Sequence, residues 1–319
     1  MRTAGPVVAF APGGIGNLGP GLDILGLAVA GRGDVVRAEW IDRPGIHILE
    51  PGHPDLPSDS RHHTSGLAAH AVATAAGVDL SRGDGIALSV RKGLPLSGGQ
   101  GGSAASAVAG AVAVNALLGA PLDRSQLLRA CLVAEETVSG RHLDNIAPSL
   151  LGGIVLIRCL ETLDLVQLPA PEDLHVVLVQ PDQQLRTAHA RTVLPEAISR
   201  EVALHQAAQV GALVAALVLG DFALLGRSID DRIAEPVRAP LLPGFAEAKA
   251  AALAAGALGS SISGSGPTAF ALTQGQAAGE RVAAAMVRGY LSRGLHSEAR
   301  VAQVDRVGAR LIEETGEGP

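Results

Sequence analysis

The feature of this sequence that most limits its fold is a glycine-rich loop at residues 95–106, which runs straight into a helical segment. Four of these twelve residues are glycine, and glycines let a backbone approach an anion and turn several N–H groups towards it. Ser103 begins an alanine-rich run that predicts a helix, whose positive end favours phosphate. The pattern predicts a phosphate-binding site, although its composition also suits a turn that packs a helix closely on a sheet.

Two common kinds of ATP-binding loop are excluded by the sequence. A Walker A loop ends in Gly-Lys-Ser or Gly-Lys-Thr, and neither of the two lysines, Lys92 and Lys249, stands in such a motif. The signature motifs of protein kinases are absent as well. A bound nucleotide would therefore be held by main-chain amides, a metal ion and a few arginines.

A second glycine pattern, Gly14, Gly16 and Gly19, fits the G-x-G-x-x-G fingerprint of dinucleotide-binding folds. Asp34 lies at about the distance where an acidic residue would contact a ribose. A nicotinamide-dependent oxidoreductase is therefore an alternative. The context weighs against it, because the fingerprint should open a helix, whereas the residues after Pro20 read as a strand.

The composition argues against nucleic-acid binding and membrane insertion. The formal net charge is −6 and aromatic residues make up 2% of the chain, so both a basic surface and stacking platforms are missing. Glycine, proline or a charged residue interrupts each apolar run before the roughly 18 residues that a membrane helix needs. Cys131 and Cys159 lie in apolar contexts typical of buried thiols. With no secretory signal at the N-terminus, we expect a cytoplasmic protein.

The hydrophobic patterns predict an α+β protein of two domains. In the first half we expect strands at residues 7–11, 85–91 and 153–159, and helices at residues 64–76, 103–118 and 125–137. Residues 24–30 and 34–40 flank Gly31-Arg32-Gly33 and predict a β-hairpin.

The two prolines of residues 168–171 favour an extended connector, so we expect an N-terminal domain at residues 1–168 and a C-terminal domain at residues 169–319. In the second half, strands are predicted at residues 175–180, 259–263, 268–273 and 297–304, and helices at residues 199–219, 243–255 and 276–292. With the middle helices taken as an insertion, the order is β-α-β-β-α-β, which is that of ferredoxin-like domains.

Three segments together resemble the superfamily of galactokinase, homoserine kinase, mevalonate kinase and phosphomevalonate kinase. They are residues 12–23, residues 95–106 and residues 260–268, in the order and spacing of that superfamily's three motifs. Four stretches resemble the homoserine kinase branch in particular. They are residues 17–23 of the first motif, residues 142–148 with Gly152-Gly153, the pair Thr187 and Arg191, and Asp231-Arg232-Ile233 with Pro236 and Arg238.

This resemblance implies a fold and a reaction. The expected fold is a ribosomal-S5-like α/β domain followed by a ferredoxin-like domain. The expected reaction transfers a phosphoryl group from ATP, with Mg²⁺, to the side-chain hydroxyl of L-homoserine for threonine synthesis. The family usually has Gly-Leu-Gly-Ser-Ser in its phosphate loop, whereas this chain has Gln100 in place of the leucine and keeps only the second serine, Ser103.

The resemblance also assigns site residues. The ATP loop would consist of Pro95, Leu96, Ser97, Gly98, Gly99, Gln100, Gly101, Gly102, Ser103, Ala104 and Ala105. Mg²⁺ would be bound by Ser103 and Glu135. The substrate would be bound by Asn17, Asp23, His142, Asn145, Thr187, Arg191 and Arg238, with Arg191 and Arg238 suited to its carboxylate. Catalytic roles would fall to Asp23, Asp144 and Asn145.

Several alternatives stay open at this point. The chain could phosphorylate another small alcohol of the mevalonate or shikimate kind, or it could be a relative that binds amino acids or nucleotide without turnover. A general base is not identified: the hydroxyl proton could leave late, to phosphate oxygen or water, with Asp23 or Asp144 at most assisting. The oligomeric state is also open, and a homodimer is one option.

Overall fold

The computed structural model describes residues 5–185 and 187–313, except for the side chain of Thr187. The described chain forms two sheets, one of seven strands and one of four, with helices packed against each. The predicted two-domain α+β fold is confirmed.

The larger sheet forms the first domain. Its main path runs β11-β1-β2-β4-β3, with β5 paired to β2 and β6 paired to β5. The strands are β1 (Val7–Gly16), β2 (Leu25–Ile41), β3 (Ile46–Glu50), β4 (Gly85–Arg91), β5 (Ile154–Cys159), β6 (Asp164–Leu168) and β11 (Arg310–Ile312). The predicted strands therefore form, but β3, β6 and β11 were not predicted from the sequence.

The predicted hairpin at Gly31-Arg32-Gly33 is wrong. The two segments that flank these residues are one strand, β2, which pairs with β1 on both sides of the glycines. β1 likewise continues through Pro12 with a bulge, after which Gly14 and Gly16 pair with the first part of β2. A glycine-rich stretch here lets a long strand bend, because Gly33 packs where a Cβ would lie only 2.1 Å from the carbonyl oxygen of Ala11.

Four helices complete the first domain: α1 (Thr64–Ala75), α2 (Gly102–Leu117), α3 (Arg124–Val138) and α4 (Ile146–Leu151). The first three confirm predicted helices to within two residues at each end. α2 is buried around almost its whole circumference, because alanine and glycine side chains let α1, α3 and the sheet approach it closely. The glycine-rich loop therefore leads into the most buried helix of the domain.

The smaller sheet confirms the ferredoxin-like prediction. Its strands are β7 (Leu174–Pro181), β8 (Gly259–Ile262), β9 (Ala269–Gln274) and β10 (Ser297–Gln303). They are antiparallel in the order β10-β7-β9-β8, and α10 (Gln276–Leu291) connects β9 to β10. Between β7 and β8 lie α5 (Thr187–Thr192), α6 (Arg200–Leu219), α7 (Phe222–Arg227), α8 (Glu235–Arg238), a 3₁₀ turn (Ala239–Leu241) and α9 (Phe245–Ala254).

The chain passes from one sheet to the other between Leu168 and Leu174, and β11 later returns to pair with β1. We propose a division into residues 1–168 and 169–319, although β11 lies in the second range and completes the sheet of the first domain. Within the two described ranges, α6 is the one helix whose length and composition would suit a membrane span. Neither cysteine is in a disulfide: Cys131 is buried and Cys159 is partly exposed.

Candidate active site

A cleft of about 1530 Å³ lies where the two domains meet. Its walls come from the loop that precedes α2, the loop between β1 and β2, the segment between α3 and α4, and α5 and α8 of the second domain. His53, Leu56, Pro57, His62 and His63, which lie between β3 and α1, line the cleft as well. All three glycine-rich segments singled out in the sequence therefore meet at one cleft.

The glycine-rich loop is held from both domains. On one side the amide of Gly14 donates to the carbonyl oxygen of Gln100 at 3.0 Å. On the other, the hydroxyl of Ser263 donates to the carbonyl oxygen of Gly99 at 2.6 Å, and the amide of Thr268 donates to that of Gly98 at 3.2 Å. These bonds turn loop carbonyls away from the cleft, which suits a loop that offers N–H groups to an anion.

α2 begins without a side-chain cap. Its N-cap residue, Gly101, has φ 69°, in the left-handed region that favours glycine, and no side chain within the described residues caps the first turn. The amides of Gly102, Ser103 and Ala104 have no carbonyl one turn earlier to bond within the helix. Ala105 does, since its amide donates to Gly101 at 2.9 Å. The helix thus presents free donors and the positive end of its dipole to the cleft.

A buried ion pair that sequence reasoning missed supports this helix end. Lys92 forms an ion pair with Asp34, which is 0% exposed, and also donates to the carbonyl oxygen of Gly102 at 3.0 Å and to Ser106 Oγ at 2.9 Å. Asp34 accepts from Ser106 Oγ at 2.6 Å and from the amide of Gly93 at 3.1 Å. These two charges fix both ends of the loop to the sheet.

Gln100 takes no part in the cleft wall. Its side chain is 5% exposed and donates across the domain boundary to Gln180 Oε1 at 2.9 Å and to Thr268 Oγ1 at 3.3 Å. Where the related loops carry leucine, this chain has a polar link between the domains. Ala105 also lies outside the cleft lining, so these two members of the predicted ATP loop contribute from behind it.

Ser103 and Glu135 meet at the helix end. Ser103 Oγ donates to Glu135 Oε2 at 3.3 Å, and Ser139 Oγ donates to Glu135 Oε1. Glu135 is 3% exposed, and this burial raises the pKa of its carboxyl above the usual range, because the charged form loses hydration. A buried carboxylate beside a hydroxyl is a pair of hard oxygen donors, which a divalent cation such as Mg²⁺ would stabilise.

His142, Asp144 and Asn145 form a hydrogen-bonded group next to Glu135. His142 Nδ1 lies 3.1 Å from Asp144 Oδ1, and Asn145 Nδ2 donates to Asp144 Oδ2 at 3.2 Å. Burial opposes protonation of His142, but the hydrogen bond and charge of Asp144 outweigh it, so the pKa of the imidazole is raised. Asn145 Oδ1 is buried and accepts no hydrogen bond from any residue that the structure describes.

The glycine at position 16 is required by this group. A Cβ there would lie 2.3 Å from Asp144 Oδ2 and 2.6 Å from Asn145 Nδ2. The missing Cβ at Gly16 therefore makes room for side chains of another segment. The element that follows Gly19 is the strand β2 instead of a helix, and Asp34 is buried in its ion pair with Lys92, where it cannot reach a ribose. The oxidoreductase alternative is therefore wrong.

The second domain contributes two guanidinium groups opposite a carboxylate. Arg191 donates to Asp23 through two nitrogens, at 2.7 and 3.3 Å. Arg238 is 3% exposed and donates to the carbonyl oxygen of Gly264 at 3.0 Å, an oxygen that Asn17 Nδ2 also contacts at 3.1 Å. Burial and the neighbouring Arg191 lower the pKa of Arg238. Two cations in one corner indicate a site for an anionic group.

Comparisons with known proteins agree with this geometry. The family model of the GHMP kinases N-terminal domain matches residues 64–153, and that of the GHMP kinases C-terminal domain matches residues 213–292. A homoserine kinase of Chlorobium phaeovibrioides is 42% identical over 319 residues, covering 96% of this chain and 99% of that protein. A homoserine kinase of Arabidopsis thaliana is 44% identical, covering 96% and 84%. The chain belongs to the homoserine kinase family.

Solved structures place the same fold in this family and beyond it. A crystal structure of homoserine kinase from Cytophaga hutchinsonii superposes with a TM-score of 0.92 at 38% identity, covering 98% of this chain and 99% of the other. Mevalonate kinase of L. major has a TM-score of 0.68 at 19% identity, covering 95% and 97%, which shows a shared fold alone.

Nearly all the site residues predicted from the sequence line the cleft. Those lining it are Asn17, Asp23, Glu135, His142, Asp144, Asn145, Arg191, Arg238 and, from the loop, Pro95 to Gly99 and Gly101 to Ala104. The side chain of Thr187 lies outside the described part. Residues that sequence reasoning missed are Asp34 as the partner of Lys92, Ser139 beside Glu135, and Gln180. The register of β2 and β4 pairs Val35 with Arg91 and so places Asp34 beside Lys92, but this register is known only from the structure.

Proposed function

We propose that this chain transfers the terminal phosphoryl group of ATP to the side-chain hydroxyl of L-homoserine, giving O-phospho-L-homoserine. The observation that carries the proposal is the meeting, in one cleft, of an uncapped helix end and a charged pair suited to an amino acid. It is supported by the family membership of the chain and by the names of its relatives.

The pair Asp23 and Arg191 suits a zwitterion. The two side chains are about one-third exposed, 38% and 30%, so the charges are open to exchange. An amino acid brings one ammonium and one carboxylate, which can replace each side chain's present partner without leaving a charge unpaired. Arg238, held by Ala190 and Gly264, adds a second cation for the carboxylate.

The residues present also fit Mg²⁺ and a triphosphate. Ser103 Oγ and Glu135 would hold the metal, and the amides of Gly102 to Ala104 would hold phosphate oxygens. When bound, Mg²⁺ supplies charge neutralisation on the transferred group. Lys92 keeps the helix end rigid by binding the carbonyl oxygen of Gly102. The chain's part in the reaction is therefore mainly to position the reactants.

Asp144 is proposed to orient its neighbours, with no role as a strong base. Both of its oxygens are engaged, one with His142 and the other with Asn145, and it is 2% exposed. Asn145 cannot accept a proton, although its unpartnered Oδ1 can accept a hydrogen bond from a hydroxyl. The hydroxyl proton would then leave late, to phosphate oxygen or to water. A loss of several orders of magnitude in kcat for a folded Asp144→Asn variant would disprove this assignment.

The proposal is tested by ADP release with L-homoserine, mevalonate and shikimate as separate acceptors. We expect turnover with L-homoserine well above the rate without an acceptor, and little with the other two. In Arg191→Ala, the KM for L-homoserine should rise by about 10- to 100-fold, because a charged hydrogen bond is lost. Arg293→Ala, which removes an exposed arginine paired with Glu247, is the matched control. If the chain bound nucleotide but turned over none of the three acceptors, the proposal would be refuted.

We also propose a place for the reaction. O-Phospho-L-homoserine is a precursor suited to threonine synthesis, and the two unpaired cysteines suit a reducing, cytoplasmic compartment. L-Homoserine and ATP are the proposed small-molecule partners.

A further inference from the structure

Gln206 is a buried polar residue of α6 that bonds two distant segments at once. It is 7% exposed, and its Nε2 donates to the carbonyl oxygen of Pro20 at 2.7 Å and to Asp231 Oδ1 at 2.9 Å. Its Oε1 accepts from the amide of Arg232 at 3.1 Å. Both donor hydrogens of the side-chain amide are therefore used, together with its acceptor oxygen. The described residues that line the cleft do not include Gln206 or Asp231, so this link lies behind the site.

The first of the two segments is the loop between β1 and β2, which contains Asn17, Pro20 and Asp23. Asn17 and Asp23 have φ 69° and 60°, in the left-handed region that disfavours residues with a side chain. Such conformations persist where several contacts hold them. Within the loop, Asn17 Oδ1 accepts from the amide of Asp23 at 3.0 Å. From outside it, Gln206 binds the carbonyl oxygen of Pro20, and this bond therefore helps to keep Asp23 in place.

The second segment leads into α8, the helix that ends at Arg238. Asp231 is 8% exposed, and besides Gln206 its carboxylate accepts hydrogen bonds from three backbone amides. These amides belong to Ile233, Ala234 and Glu235, at 2.8, 3.1 and 2.9 Å. Since Glu235 begins α8, the carboxylate fixes the start of the helix and with it Arg238. This stretch resembles homoserine kinases, but the resemblance assigned a role to Arg238 alone.

We propose that Gln206 is a positioning residue for the amino-acid substrate. It bonds both Pro20 and Asp231 through one amide group, so the loop with Asp23 and the helix with Arg238 are held at a fixed separation. The inference rests on the proposed function, in which these two side chains receive the ammonium and the carboxylate of L-homoserine. An α-amino acid carries both groups on one carbon, so a site that binds both tolerates little change in their separation.

The phosphate loop is held independently of this link. Its hydrogen bonds come from Gly14, Ser263 and Thr268, and none of these three residues bonds to Gln206. Loss of the Gln206 amide should therefore weaken the binding of L-homoserine and leave that of ATP unchanged. A general loss of stability would instead affect both substrates.

The first test is steady-state kinetics of Gln206→Met, which keeps the length of the side chain and removes its three hydrogen bonds. We expect the KM for L-homoserine to rise by about 10-fold and the KM for ATP to stay within about twofold of the wild type. Gln209→Met is the matched control, since Gln209 lies on the same helix, is partly exposed, and should keep both values. Equal KM values for L-homoserine in Gln206→Met and the wild type would overturn the inference alone. A wild type that does not phosphorylate L-homoserine would overturn the proposed function as well.

The second test asks whether Gln206 acts through Arg238. In an Arg238→Ala background, Gln206→Met should change kcat/KM for L-homoserine by less than about threefold, because the group that it positions is gone. A further 10-fold loss there would mean independent effects and would overturn the inference. Asp231→Asn reaches the same link from its other end and decides the question if Gln206→Met does not fold. It should also raise the KM for L-homoserine and not that for ATP, and a rise in both would contradict the inference.

Discussion

The buried pair of Lys92 and Asp34 gives the sharpest test of how the phosphate loop is held. Lys92→Met keeps the length of the side chain and removes its charge. Asp34, at 0% exposure, would then keep only hydrogen bonds from Ser106 and from the amides of Gly93 and Leu94. The carbonyl oxygen of Gly102 would lose its lysine donor at the same time. The substitution therefore leaves a buried carboxylate without a countercharge.

The expected loss can be estimated from this geometry. Breaking a buried ion pair from one side costs about 3–5 kcal/mol. The hydrogen bonds that remain to Asp34 place Lys92→Met at the lower end, about 3 kcal/mol in the free energy of unfolding. At about 2.1 cal/mol/K of unfolding entropy per residue, this loss lowers the melting temperature of a chain of 319 residues by about 4–5 °C. Lys249→Met is the control, since Lys249 pairs with Glu235 at a partly exposed position and should contribute less than about 1 kcal/mol.

The measurement is urea unfolding followed by circular dichroism, without nucleotide, so that any effect on catalysis does not enter. The double variant Asp34→Asn with Lys92→Met should recover at least half of the loss, because no unpaired charge remains buried. Equal destabilisation by Lys92→Met and Lys249→Met would refute the reasoning. So would a double variant less stable than Lys92→Met alone.

Three further predictions concern single side chains around the cleft. Glu135→Gln should raise the melting temperature without Mg²⁺, because burial raises the pKa of this carboxyl and so disfavours its charged form. The same variant should lose about 100-fold or more in kcat in an ADP-release assay. A lowered melting temperature would contradict this prediction. The pKa of His142 is raised above 6.5 in the folded protein, so the stability that this histidine contributes is complete below pH 6.5 and is lost as the pH rises through the folded pKa. Urea unfolding at several pH values should show a weaker dependence of the free energy of unfolding on pH in His142→Gln than in the wild type. An unchanged dependence would disprove the prediction. Gln100→Leu should lower the free energy of unfolding by about 1 kcal/mol, and a double-mutant cycle with Thr268→Val should show coupling. Additive effects would mean that the hydrogen bond between Gln100 and Thr268 does not contribute to stability.

The sequence was informative wherever one segment contains its own signal. β4 begins and ends as predicted, because its residues alternate and its flanks are polar or glycine. α2 begins within one residue of the prediction, since glycine followed by an alanine run is a local pattern. The joined strand β2 was misread for the opposite reason. Gly31 to Gly33 suit a tight turn locally, and only pairing with β1 on both sides keeps the chain extended there.

The residues of the site were predicted more fully than the hydrogen bonds that hold them in place. Motif residues such as Asn17, Arg191 and Arg238 could be named from the resemblance to the superfamily. The bonds that hold them could not, because their partners are carbonyl oxygens such as that of Gly264, which carry no sequence signal. The cross-domain link from Gln100 was hidden for a similar reason: its partner in β7 is 80 positions away. Such contacts depend on how the two sheets face each other.

The central claim is that the start of α2 grips a triphosphate beside the amino-acid corner of the cleft. A crystal structure of the full chain with Mg²⁺, a non-hydrolysable ATP analogue and L-homoserine tests it directly. We predict phosphate oxygens within hydrogen-bond distance of the amides of Gly102 to Ala104, and the α-carboxylate of L-homoserine on Arg191 and Arg238. A triphosphate bound elsewhere, with these amides facing only water, would contradict the account.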